Sequence, residues 1–88
     1  MFVGKVIGSI VSTRKNEKLI GSKFMIVESV MDTSKERLVA VDNVGAGIGE
    51  IVLVATGSAA RIGCNLSDAP IDAAIVGIVD DGVGLSGM

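Results

Sequence analysis

The apolar positions of this chain fall in short alternating runs that predict strands. From Phe2 to Ser12, Val3, Lys5, Ile7, Ser9 and Val11 share one face of an extended segment, and Phe2, Gly4, Val6, Gly8 and Ile10 share the other. Two glycines in one strand, Gly4 and Gly8, predict sharp bending or close backbone approach, as at the corner of a small barrel. A polar turn, Thr13 to Lys18, follows, and Leu19 to Gly21 leads into a second strand, Lys23 to Val30. There Phe24, Ile26 and Glu28 alternate with Met25, Val27 and Ser29. Met31 to Glu36 reads as a polar loop, Arg37 to Asp42 as a third strand, and Asn43 to Gly49 as a glycine-rich turn. Glu50 to Thr56 is the fourth strand and Asp72 to Asp80 the fifth. The one helical segment expected is Gly57 to Gly63, about a turn long, with Ser58 as its N-cap and Gly63 as its C-terminal glycine. Asn65 to Pro70 is a loop, and Asp81 to Met88 a glycine-rich tail, extended or mobile. Five short strands at regular spacing predict an all-β small barrel or sandwich. The short helix between strands four and five leaves room for an OB-like barrel.

Composition changes this picture in one respect. The chain has 88 residues, hence one domain, and 49% of them are hydrophobic. A chain of this length buries roughly 60–65% of its unfolded surface, and apolar content this high predicts a face that meets another chain. The mean hydropathy is +0.63, yet no run reaches the roughly 20 apolar residues of a membrane span. Ile71 to Val79 is the richest stretch and contains Asp72. Met1 to Lys5 lacks the pattern of a signal peptide, and a single cysteine, Cys64, allows no intrachain disulfide. Together these point to a cytoplasmic protein without a membrane partner. The net charge of −2 and the pI near 4.9 argue against a nucleic-acid partner, which demands a basic face. Only two aromatics, Phe2 and Phe24, are available to stack bases.

Candidate chemistry is sparse. Without histidine, the usual general base and the commonest metal ligand are missing, and Cys64 has no histidine to activate it. Asp80 and Asp81 are adjacent, so in a strand they point to opposite faces. No catalytic residue, metal site or cofactor site is expected, and the chain reads as a non-enzyme. The run Gly45-Ala46-Gly47-Ile48-Gly49-Glu50 imitates half of a dinucleotide fingerprint. Glu50 stands where the last glycine belongs, however, and a strand follows where a helix is needed. A tight turn using left-handed glycine is the better reading, braced by Asp42 or Asn43 through side-chain bonds to the backbone. Arg61 is either solvated or paired with an acidic residue of its own chain or a neighbour's.

Three segments resemble the vertex proteins of bacterial microcompartments, the EutN/CcmL family. They are Gly4 to Val27, with Lys18-Leu19-Ile20-Gly21-Ser22-Lys23; Val39 to Arg61; and Ile71 to Asp80. The second is the most specific, with Val41-Asp42, Val44-Gly45-Ala46-Gly47 and Gly49-Glu50 followed by Gly57-Ser58 and Ala60-Arg61. The resemblance implies a five-stranded OB-like barrel over residues 1–80, with 81–88 as a tail. It also implies assembly into a homopentamer, ahead of a hexamer, that caps the corners of a polyhedral shell tiled by hexameric shell proteins. By the same analogy Asp42, Gly45, Ala46, Gly47, Gly49, Glu50, Ser58 and Arg61 are candidates for the subunit interface near the axis, with Glu50 and Arg61 as an intersubunit pair. The alternative is an OB-type binding module for nucleic acid or a small ligand.

Overall fold

A computed structural model describes residues 1–11, 17–19, 21–31, 33, 35–63 and 71–79. Five strands form a closed barrel: β1 (Phe2–Ile10), β2 (Lys23–Ser29), β3 (Arg37–Asp42), β4 (Ile51–Thr56) and β5 (Ala73–Ile78). Their order is β1-β2-β3-β5-β4, with β4 pairing back onto β1. Every pairing is antiparallel except β3 with β5. Among the described residues one α-helix, α1 (Ser58–Gly63), lies between β4 and β5, and Glu17–Leu19 forms a single 3-10 turn before β2. Thr13 to Asn16 of the polar turn, Cys64, the loop Asn65 to Pro70, Asp80 and the tail lie outside the described residues.

Alternation decides which side chains fill the barrel. Val6, Met25, Val27, Ala40, Val52, Val54, Ala73 and Ile75 form the inner core, closed by Phe2 and Leu38. A second cluster lies on the outside of the wall, where Val41, Ala60, Ile71 and Ala74 pack with Leu19, Phe24 and Val76. α1 packs against β4 and β5, and β5 is buried on both faces at Ala73, Ala74 and Ile75.

Gly4 makes the close approach expected of it. A Cβ there would overlap the Val27 side chain and lie 3.0 Å from the Glu28 carbonyl. The bending falls beside Gly8, at a register shift between Val6 and Gly8.

Several boundaries differ from expectation. β1 ends at Ile10, two residues early, and β2 at Ser29, one early. β4 starts at Ile51 because the Glu50 amide closes a turn on the Gly47 carbonyl at 3.2 Å. β5 is confined to Ala73–Ile78, and Asp72 instead lends its carbonyl to the Gly57 amide at 2.8 Å. Ser58 is the first helical residue, not the cap. The capping position belongs to Gly57, whose φ is 64° and whose carbonyl accepts from Ala60 at 3.1 Å. Gly63 ends the helix without a left-handed conformation. Its role is space, since a Cβ there would sit 2.7 Å from Val76 Cγ1.

Candidate subunit interface

The segment from Asp42 to Glu50 is fixed by its own side chains. Asp42 Oδ1 accepts from the amides of Val44, Gly45 and Ala46 at 3.1, 3.0 and 3.2 Å. Asp42 is therefore the brace; Asn43 turns elsewhere, donating from Nδ2 to the Gly63 carbonyl at 3.0 Å and tying the turn to α1. At the far end Glu50 Oε1 accepts from the Gly47 amide at 2.6 Å. The Gly49 amide bonds the Val6 carbonyl at 2.7 Å, and the Val6 amide bonds the Glu50 carbonyl at 3.0 Å. Gly45 and Gly49 have φ of 81° and 95°, which is why glycine stands at both.

This bonding fixes what each candidate can offer. Ala46 is 3% exposed and spends its side chain on the inner core. Gly45, Gly49, Glu50 and Ser58 are exposed, whereas Asp42, Gly47 and Arg61 are partly buried. Arg61 Nη1 donates to the Ile71 carbonyl at 2.9 Å, so its guanidinium is stationed beside the start of β5. Within one chain Glu50 and Arg61 flank opposite ends of β4.

Sequence reasoning expected an apolar face and offered the turn from Val44 to Glu50 as a whole, but did not single out its exposed aliphatic side chains. Ile48 occupies the second position of the turn Gly47–Glu50 and is 66% exposed, on backbone held by the bonds just described. Val44, Ile62, Ile78, Ile10 and Val11 are also exposed. The strand registers, with the Asn43–Gly63 bond, put all six at one end of the barrel, where β3 ends and β4 begins. The signal for Ile48 was present: a large aliphatic residue between two turn glycines has no core to enter.

The opposite end carries a gap in the barrel wall. β3 and β5 pair only through Val41–Ala74 and Asp42–Ile75. Further back the strands part, leaving a cleft of about 510 Å³ lined by Leu38, Val39, Thr56, Gly57, Asp72 and Ala73. A second hollow of about 180 Å³ adjoins it, sharing Val39, Asp72 and Ala73 and reaching Phe24, Val41 and Ile71. Val39 is 48% exposed there. The lining is apolar except for Thr56 and Asp72. Among the described residues no three acidic, cysteine or histidine side chains converge as a metal site would need. No described helix is long and apolar enough to cross a membrane.

Residues 1–80 match the model of the family described as ethanolamine utilisation protein EutN/carboxysome. The chain belongs to the EutN/CcmL family. It is 51% identical over 85 residues to the microcompartment shell vertex protein GrpN of Rhodospirillum rubrum, covering 91% of this chain and 93% of that one. It is 44% identical over 88 residues to the vertex protein PduN of Salmonella typhimurium, covering 91% and 96%. Among solved structures, CcmL of Nostoc sp. superposes with a TM-score of 0.85 at 42% identity, over 91% of this chain and 89% of that one. The GrpN structure, described as a pentameric microcompartment shell protein, gives 0.80 at 50% identity, over 91% and 94%. The EutN/CcmL family is one of structural shell vertex proteins, not of enzymes.

Proposed function

We propose that this chain is a structural shell protein that closes into a homopentameric ring and caps the corners of a polyhedral microcompartment. The observation that carries the reading is the close likeness, over nearly the whole barrel, to a shell protein described as pentameric. The physics of the surface supports it. The barrel leaves unlike apolar regions at its two ends, and two unlike surfaces make head-to-tail contacts that end in a ring when the rotation closes. The braced segment Asp42 to Glu50, with Gly45, Ala46, Gly47 and Gly49, forms one side of the subunit contact, and α1 from Ser58 to Arg61 contributes to the other.

Hexameric shell proteins are the proposed lateral partners. A sheet of hexagons closes only where five-fold corners interrupt it, which gives a pentamer its structural role. A nucleic-acid partner has no support. Phe2 packs on the inner core and Phe24 on the outer cluster, so both aromatics are engaged in the fold. Co-expression with a hexameric shell protein tests the role by electron microscopy. Closed polyhedra should form with this chain present, and open sheets or tubes without it. Equal closure in both cases would reject the vertex assignment.

A further inference from the structure

We propose that Ile48 of one subunit seats in the cleft between β3 and β5 of the next, a contact that specifies the ring interface and rests on the pentameric reading above. Three observations converge on it. First, Ile48 is a large aliphatic side chain presented to solvent on immobilised backbone. Its turn is held by Glu50 Oε1 on the Gly47 amide and by the Val6 carbonyl on the Gly49 amide. An anchor ordered before binding loses little entropy on docking, and such side chains dominate interfaces when they fill a pocket.

Second, the cleft is a mostly apolar hollow of about 510 Å³ where, among the described residues, the barrel wall is left unpaired. Natural sheets cover such gaps. Knob and cleft lie at opposite ends of β4, one before Ile51 and the other at Thr56. A subunit therefore cannot fill its own cleft with its own turn, and the contact must be head to tail.

Third, charge agrees with the docking. Glu50 is exposed beside the knob, and Arg61 is bonded to Ile71, which lines the hollow adjoining the cleft. Arginine has five N–H donors in a fixed fork, and its positive charge beside the start of β5 attracts the incoming Glu50 carboxylate. That carboxylate also faces Asp72 on the cleft wall, and the arginine offsets the repulsion.

The test is an engineered disulfide. Ile48→Cys and Thr56→Cys are combined in a Cys64→Ser background, oxidised and run on a non-reducing gel beside each single variant. The expected result is a ladder of covalent oligomers from the double variant and none from the singles. Native mass spectrometry of the same samples separates the failures. Five-chain rings without a ladder would overturn this contact and leave the ring standing. An unsubstituted chain that forms no ring would overturn both. As a second arm, Ile48→Ser should leave thermal unfolding of the subunit unchanged while weakening ring association about ten-fold or more, and Ile48→Leu should restore most of it. An Ile48→Ser ring as tight as the unsubstituted one contradicts the proposal.

Discussion

The turn from Asp42 to Glu50 and the seam between β3 and β5 are both irregular, and the chain treats them in opposite ways. In the turn, amide after amide has a named acceptor: Asp42 takes three and Glu50 one. In the seam the ladder stops after two residue pairs and leaves a cleft. A monomer gains from the first arrangement and not from the second. Rigid backbone carrying an exposed isoleucine, opposite a sheet edge left open among the described residues, is how a surface reads when its missing half belongs to another copy. On the proposed docking, folding completes the turn and assembly completes the seam.

Substitutions can break that contrast. The largest effect on the subunit itself is expected from Asp42→Ala, which strips the acceptor from three amides at once. A loss of about 2–3 kcal/mol in urea unfolding should result, with Asp42→Asn recovering roughly half through its remaining oxygen. Next comes Gly49→Val. A β-branched residue at φ 95° is strained, and about 1–2 kcal/mol should be lost. Gly47→Leu acts through crowding within the chain. A Cβ at Gly47 would lie 3.3 Å from Glu50 Oε1 and push the carboxylate off its amide. About 1 kcal/mol of stability is expected to go, and ring association with it, read by native mass spectrometry. At the seam the order reverses. Val39→Lys should change subunit unfolding by less than about 0.5 kcal/mol, because Val39 is half exposed. The same substitution should dissociate the ring in analytical ultracentrifugation. A large loss of subunit stability there would erase the distinction between turn and seam.

Much of the fold was legible in the sequence. Period-two alternation in β2 grouped Met25, Val27 and Ser29 on one face, and it is this face that the structure buries. Gly4 announced a close contact correctly, because a strand position without a side chain makes room for a neighbour, here Val27. The ends of elements were harder to read. Nothing in Gly57-Ser58 distinguishes a glycine cap from a serine cap until the carbonyl of Gly57 is seen to accept from Ala60. The candidate surface was half legible. Asp42 as a brace follows from aspartate preceding a glycine turn, whereas Glu50 bracing Gly47 requires the turn to fold back on itself. The seam left no mark at all. Leu38, Val39 and Ala73 read as ordinary strand residues, and only the short parallel register between β3 and β5 separates them from a closed wall.

If this barrel is one part of a five-membered ring, native mass spectrometry of the purified chain counts the subunits. The expected result is a dominant species of five chains. A stable monomer at micromolar concentration would contradict it.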